Sequence, residues 1–167
     1  MTRRLAGAML AVFAVAALAG CGTTTPVPGQ TALASVVLPA GGPCALVADV
    51  ASAIGRAAIA SPNAYAVGAT ERCMWVIARD PSRYVGLSVG PAANHASTID
   101  AFGEGNAVAA LGDDARWWPA ARTLSVAIGD RSIQVDLQLD AAEATRERAA
   151  ALARQALEAL GAASGSG

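Results

Sequence analysis

The clearest pattern of apolar and polar positions lies between residues 123 and 139. Apolar and polar residues alternate on both sides of Gly129-Asp130, which predicts two antiparallel strands joined by a two-residue type II′ turn. This register places Leu124 opposite Val135. One face of the hairpin is then apolar and faces the core, and we expect the polar face to meet water.

An earlier segment also predicts a hairpin. Residues 72–79 are apolar on both faces, which is typical of a central strand, and residues 84–89 follow as a second strand. Asp80-Pro81-Ser82 between them is a turn signal. Residues 61–71 contain proline, asparagine and glycine and are predicted to be a loop.

Segments before, between and after these strands have apolar residues at helical spacing. The first predicted helix begins at Pro43 and ends at Gly55, with its apolar face running to Ile54. The second begins at Pro91 and ends at Gly103. The predicted apolar positions of this second helix are Ala96, Ile99 and Phe102.

The longest helix is predicted after Asp140, with Glu143 completing a capping box and Gly161 ending the helix. The order is helix–strand–strand–helix–strand–strand–helix. It predicts an α+β domain in which about four to five antiparallel strands carry helices on one face. The predicted buried stripe of the last helix is Ala149, Leu152, Ala153, Ala156, Leu157 and Leu160.

The chain begins with the pattern of a lipoprotein signal peptide. Arg3 and Arg4 precede an uncharged apolar run that ends in Leu18-Ala19-Gly20-Cys21, a complete lipobox. The run is shorter than the roughly 20 residues of a membrane span. We therefore predict removal of residues 1–20 and a diacylglyceryl anchor on Cys21 at the extracytoplasmic face of the membrane. The alternative is a chance cysteine after an ordinary signal peptide.

Composition divides the remaining chain. Residues 21–42 are rich in Thr, Pro and Gly and predict a flexible tether after the lipidated cysteine. Residues 43–160 form the predicted single domain. Residues 161–167 are small and polar, and we expect a disordered tail there.

Charge and residue counts exclude several classes of function. The 167 residues carry a formal net charge of −1, which excludes a strongly basic nucleic-acid binder. One histidine and three cysteines are too few for a multi-histidine metal centre or a zinc finger. No metal and no cofactor are predicted.

The cysteines fit an oxidising compartment. If Cys21 carries lipid, Cys44 and Cys73 remain, and each has only the other as a partner. A disulfide between them is the favoured interpretation, and two buried thiols are the alternative.

Several short motifs resemble a known family when taken in order. They are Pro43-Cys44, Cys73-Met74-Trp75 and Leu111-Gly112-Asp113-Asp114-Ala115 with Trp117, followed by a hairpin and a helix. This arrangement resembles the actinobacterial lipoproteins catalogued as domain of unknown function 3558, over residues 43–160. The resemblance implies a surface lipoprotein with a disulfide between the two matching cysteines. It implies no activity and no catalytic residue.

Residues with catalytic or metal-binding chemistry are few. A Ser/His/Asp triad around His95 would need a serine on a strained elbow, and the chain has no Gly-x-Ser-x-Gly motif. We expect His95 on a helix surface without a chemical role. Asp113 and Asp114 lack the spacing of a calcium loop. Asp113 is predicted to bond turn amides and Asp114 to be solvated, so no catalytic residue is proposed.

Trp117-Trp118 is the most suggestive pair. Neighbours on a strand point to opposite faces, so one tryptophan can be in the core while the other is exposed. An exposed tryptophan is a favoured anchor for a protein, a glycan or an acyl chain. Arg116 and Arg122 flank the pair, and these four residues are the candidate partner or ligand contacts. The alternative is that both tryptophans fill the core.

The leading hypothesis is a non-enzymatic, lipid-anchored binding or accessory module of the cell envelope. Its partner would be an envelope protein, lipid or glycan, and not a nucleic acid. The alternatives are a carrier of an acyl or glycolipid ligand and, less favoured, an envelope hydrolase. A large apolar cavity would favour the carrier. An exposed tryptophan patch would favour a protein partner, and a cleft that brings together Asp, Arg and His95 would favour the enzyme.

Overall fold

The computed structural model describes residues 38–56, 61–77 and 80–164, with side chains described as far as Gly161. All of them belong to the unit Leu33–Gly167. The predicted signal peptide 1–20, the lipidation site Cys21 and residues 21–37 of the predicted tether lie outside the described residues. So do residues 165–167 of the predicted tail.

The described residues form one seven-stranded antiparallel sheet and three α-helices, in the order β1-β2-β3-β7-β6-β5-β4 across the sheet. A 3₁₀ turn, Gly42–Leu46, precedes the first α-helix. The helices are α1 Val50–Ile54, α2 Ala93–Phe102 and α3 Arg146–Ser164. The strands are β1 Asn63–Val67, β2 Thr70–Ile77, β3 Asp80–Pro91, β4 Asn106–Ala107, β5 Asp114–Trp118, β6 Thr123–Ile128 and β7 Arg131–Gln138.

The predicted β6–β7 hairpin is confirmed with its register. Leu124 pairs with Val135, and Ile128 pairs with Arg131 across a two-residue turn. Gly129 has a φ of 54° there, a conformation that suits glycine at the first position of a type II′ turn. Strict alternation and a short Gly-containing turn were enough to specify this part of the sheet.

The apolar face of the sheet forms the core with the 3₁₀ turn, α1 and α3. Leu87, Leu124, Val135 and Leu137 of the sheet are almost fully buried against these elements. The predicted stripe of α3 belongs to the same cluster, with Leu157 partly buried at its edge. Burial of this many aliphatic side chains is the main stabilising contribution to the fold.

The disulfide joins Cys44 in the 3₁₀ turn to Cys73 in β2, with a sequence separation of 29 residues. It attaches the start of the folded region to the sheet. The bridge favoured from the cysteine count is therefore present, and the alternative of two free thiols is excluded.

The α+β class and the antiparallel sheet are confirmed, but the predicted strand number and order are wrong. Residues 61–71, expected as a loop, contain β1 and the start of β2. All five residues of β1 are exposed, so the strand has no alternation of apolar and polar positions. Two-residue β4 and five-residue β5 complete the other edge of the sheet.

Helix placement also differs from the prediction that helices cover one face. The helix α2 lies on the polar face, with His95 and Thr98 buried and Ala96 and Phe102 exposed. The predicted apolar face of α2 is therefore wrong, because its polar side chains are the ones that bond to the sheet. The polar face of the hairpin is buried there instead of wet.

The ends of the outer helices were placed only approximately by the sequence. Residues 47–49 interrupt the first predicted helix, and the Asp49 side chain accepts a hydrogen bond from the Ser52 amide at the start of α1. The third helix begins at Arg146 and continues through Gly161. Asp140 and Glu143 do not form a capping box, because α3 begins only at Arg146; the Glu143 carboxylate binds Arg56 and Arg83 instead.

Candidate functional site

A row of polar side chains crosses the second face of the sheet. Arg72 on β2 pairs with Ser88 on β3, which pairs with Gln134 on β7, then with Ser125 on β6 and Arg116 on β5. Side chains of directly opposed residues share one face. The alternating polar positions of these strands thus form a continuous polar surface instead of isolated hydrophilic sites.

The histidine of α2 connects that helix to the row. His95 Nδ1 lies 2.9 Å from Ser125 Oγ, and His95 Nε2 lies 3.0 Å from Asp114 Oδ2. Arg116 Nε donates to the other carboxylate oxygen of Asp114 at 2.9 Å. His95 is only 6% exposed, so its expected position on a helix surface is wrong.

The partners of His95 indicate its tautomer. The bond from His95, followed by that from Arg116, lowers the pKa of Asp114 below its ordinary value. An ionised Asp114 can only accept, so Nε2 of His95 carries the proton of that bond, and in the corresponding neutral tautomer Nδ1 accepts from the Ser125 hydroxyl. Asp114, expected to be solvated, is instead an electrostatic link between α2 and β5.

The Ser125–His95–Asp114 chain has the residue types of a hydrolase triad. A nucleophilic serine must be reached by its substrate, and Ser125 is 1% exposed beneath α2. The residues that line the nearby groove include neither Ser125 nor His95. These bonds therefore hold α2 on the sheet and leave the Ser125 hydroxyl out of reach of a substrate.

Beside α2 the polar face is open and forms a groove of about 350 Å³. One wall is α2, the other is the turn end of the β1–β2 hairpin, and strands β2, β3 and β7 supply the floor. This size falls within the usual range of small-molecule sites, roughly 300–1,000 Å³. The lining residues are Val67, Thr70, Arg72, Ser88, Gly90, Asn94, Ser97, Thr98, Ala101, Phe102, Ser132 and Gln134.

Arg72 is the charged group of the groove floor. Its Nε donates to Ser88 Oγ at 2.9 Å, and its Nη2 donates to Asp136 Oδ2 at 3.4 Å. Asp136 is buried and also accepts from Thr123 and Gln134. The guanidinium is thus positioned by the sheet, and its charge is balanced by the buried Asp136 carboxylate on the same face of the sheet.

The two walls meet at one end of the groove. Asn94 Nδ2 on α2 donates to Thr70 Oγ1 on β2 at 2.8 Å. This bond passes over Gly90, where an added Cβ would lie 2.4 Å from Asn94 Nδ2 and 2.9 Å from Thr70 Oγ1. A side chain at position 90 would therefore separate the walls, so glycine keeps this end of the groove closed.

Two apolar side chains that line the groove are exposed. Phe102 is 54% exposed and Val67 is 57% exposed. The Phe102 ring contacts Trp118 at a centroid distance of 6.2 Å, and Trp118 Nε1 donates to the Gly103 carbonyl at 2.8 Å. Trp118 therefore supports an exposed aromatic ring at the groove entrance.

The candidate contacts predicted from sequence lie elsewhere or are buried. Trp117 and Trp118 point to opposite faces as expected, but each is only 5% exposed, so neither forms a surface patch. Arg116 is engaged with Asp114, and Arg122 donates to the Leu139 carbonyl. These four residues do not line the groove.

The groove was not predicted because its residues come from β1, β2, β3, β7 and α2. The sequence contained one signal for the groove, which is that polar positions on strands β3 and β7 match polar positions on the helix α2. Alternate positions of β3 and β7 carry Ser88, Ser132 and Gln134, while Asn94 and Thr98 lie one turn apart on α2. The match was missed because each helix was expected to pack against the sheet through its apolar side.

Asp113 bonds to a turn amide, but in a different turn from the local one expected, since its carboxylate accepts from the Gly129 amide of the β6–β7 turn at 2.6 Å. Within residues 38–56, 61–77 and 80–161, no three side chains of the metal-binding types lie close enough to hold an ion. No helix in the described part of the chain is long and apolar enough to span a membrane.

Comparison with known proteins identifies no relative: no family model, no curated protein and no solved structure matches the chain. The resemblance to the lipoproteins of domain of unknown function 3558 thus stays a prediction.

Proposed function

We propose that this protein is an extracytoplasmic lipoprotein, anchored through Cys21, whose folded domain is a non-enzymatic binding module. It holds a small ligand in the groove between α2 and the β1–β2 hairpin. The observation that supports this proposal most directly is the groove of about 350 Å³ with positioned polar groups on its floor. The Leu18-Ala19-Gly20-Cys21 lipobox supports the anchor.

Binding is favoured over the two alternative functions. A carrier of a long acyl chain needs a closed apolar cavity, whereas this groove is open and its floor carries Arg72, Ser88 and Gln134. Burying such groups against an alkyl chain would leave their hydrogen bonds unmade. A hydrolase is disfavoured because Ser125 is inaccessible.

The binding proposal can be tested by filling the groove. Ala101 lines the groove on α2, whereas Ala96 is exposed on the same helix and does not line it. The wild type and the Ala101→Trp and Ala96→Trp variants would be purified gently from the native envelope and weighed by native mass spectrometry. We expect a ligand mass that leaves on denaturation in the wild type and Ala96→Trp, and its loss in Ala101→Trp.

Two results would contradict binding in the groove. One is a bare wild-type mass after gentle purification, and the other is an equal ligand mass in both tryptophan variants. The anchor is tested separately by Cys21→Ser, which should move the protein from the membrane fraction to the soluble fraction. Retention of this variant in the membrane fraction would refute lipid anchoring at Cys21.

A further inference from the structure

We infer that the groove takes a neutral polyhydroxyl ligand, a sugar unit, rather than an anion or an alkyl chain. This inference rests on the proposed binding function and narrows its ligand class. It follows from three features of the groove: the balance of charge, the mixture of unused donors and acceptors, and the exposed aromatic ring.

The charge balance argues against an anion. Arg72 is the single ionisable side chain among the described residues that line the groove. Its Nε and Nη2 are already engaged with Ser88 and Asp136, so one of the two edges of the guanidinium that can bind a carboxylate in a bidentate manner is occupied. An anionic ligand would compete with Asp136 for this charge, and Asp136 would repel it.

The unused hydrogen-bonding groups are of both kinds. Ser88 Oγ accepts from Arg72, and Thr70 Oγ1 accepts from Asn94, so both hydroxyl protons are available to a ligand. Conversely, Ser97 donates to the Ala93 carbonyl and Ser132 donates to the Pro91 carbonyl, so their oxygens can accept.

A ligand hydroxyl both donates and accepts, so it can satisfy either kind of group. A phosphate or carboxylate only accepts and would leave the serine oxygens facing its negative charge. An alkyl chain would satisfy neither set. A compound with several hydroxyls is therefore the class that can satisfy the donors and acceptors of both the floor and the walls.

The exposed aromatic ring completes the match to a sugar. A sugar ring has an apolar face of C–H groups as well as a hydroxyl edge. Phe102, supported by Trp118, offers an exposed ring against which that face can pack while the hydroxyls reach the floor. The groove volume lies near the lower end for small-molecule sites, which suits one or two rings more than a long oligosaccharide.

The test is an NMR titration of the full-length Cys21→Ser protein followed through backbone amide signals. The probes are neutral methyl glycosides of glucose, galactose, mannose and arabinose, with glucuronate and octanoate for comparison. We expect at least one neutral glycoside to shift signals of Ser88, Asn94 and Ser132. Its affinity should be unchanged between low and high salt, because no charged ligand group is screened.

Two variants with matched controls assign the contacts. Ser88→Ala removes a donor from the floor and should weaken binding about 3- to 10-fold, whereas Ser52→Ala, at an exposed position of α1, should not. Phe102→Ala should weaken binding about 2- to 10-fold, whereas Ile128→Ala, an exposed apolar residue outside the groove, should not. Tryptophan fluorescence would verify that each variant is folded.

The results separate this inference from the proposed function. Binding of glucuronate or octanoate alone, at the same signals, would overturn the sugar assignment and retain the groove as a binding site. Shifts by a neutral glycoside outside the groove, or no shift with any of the four glycosides, would also overturn the assignment. The proposed function itself is tested separately, by comparing the ligand mass of the wild type and the Ala101→Trp variant in native mass spectrometry.

Discussion

Replacing His95 by alanine tests whether the buried polar chain holds α2 on the sheet. In the native protein the His95 ring bonds to Ser125 on one side and to Asp114 on the other. The substitution removes both bonds and leaves the hydroxyl of Ser125 buried without this partner. If the chain has a structural role, the loss appears in the free energy of unfolding.

The magnitude follows from the exposure of the two partners. A net hydrogen bond contributes about 1 kcal/mol, and a buried hydroxyl left unpaired costs about 1–3 kcal/mol. The Asp114 side chain is 39% exposed, so water replaces most of its bond and the loss there is below about 1 kcal/mol. We expect the free energy of unfolding to fall by about 2–4 kcal/mol in total, which is equivalent to a decrease of roughly 8–16 °C in the melting temperature.

Urea unfolding monitored by circular dichroism is the assay, with Ser97→Ala as the control on the same helix. Ser97 is exposed and bonds only within α2, so its removal should change stability by less than about 0.5 kcal/mol. A double-mutant cycle between His95→Ala and Ser125→Ala should show a coupling of about 1–2 kcal/mol. Equal stabilities of His95→Ala and Ser97→Ala, or additive effects in the cycle, would refute the reasoning.

Three further predictions concern other parts of the fold. The free energy of unfolding should fall by about 3–4 kcal/mol in the double variant Cys44→Ser/Cys73→Ser, because the bridge closes a 29-residue separation. Reductant should no longer shift the melting curve of this variant. A melting curve equal to that of the wild type would contradict the prediction. The lowered pKa of Asp114 stabilises the fold above its unfolded pKa, and this contribution is lost as pH falls through the folded value. Asp114→Asn should therefore show a shallower loss of stability from pH 5 to pH 2.5 in urea titrations, and equal slopes would refute the assignment. In thermal melts, the Gly112→Ala variant should be less stable than the Gly129→Ala variant by about 1–3 kcal/mol. A Cβ at position 112 would lie 2.4 Å from the Ala127 carbonyl oxygen, whereas a Cβ at position 129 would meet open space. Similar melts would show that the Gly112 contact relaxes.

Local signals predicted those parts of the fold whose apolar residues face one core. The β6–β7 hairpin and the stripe of α3 bury residues at regular spacings, so periodicity alone identified them. The strand β1 buries none of its side chains and is held mainly by backbone pairing with β2, to which it is joined by a two-residue turn. No residue in β1 indicates that pairing, so its strand remained hidden.

The candidate site was harder to predict because it depends on a departure from the usual amphipathic rule. A helix with buried Ile99 and Phe102 was the natural expectation for α2, yet His95 and Thr98 are the buried residues. The burial of His95 is favourable because Ser125 and Asp114 lie opposite it on distant strands. Such complementarity depends on tertiary contacts and is not visible in either segment alone.

The position of the disulfide also determines how a pulling force enters the domain. Tension on the chain ahead of Cys44 crosses the sulfur bridge directly to Cys73 in β2. The polypeptide between the two cysteines, including α1 and β1, is bypassed and bears none of that tension while the bridge is intact. Reduction would redirect the same force into the 3₁₀ turn and α1, so the redox state sets which element is strained first.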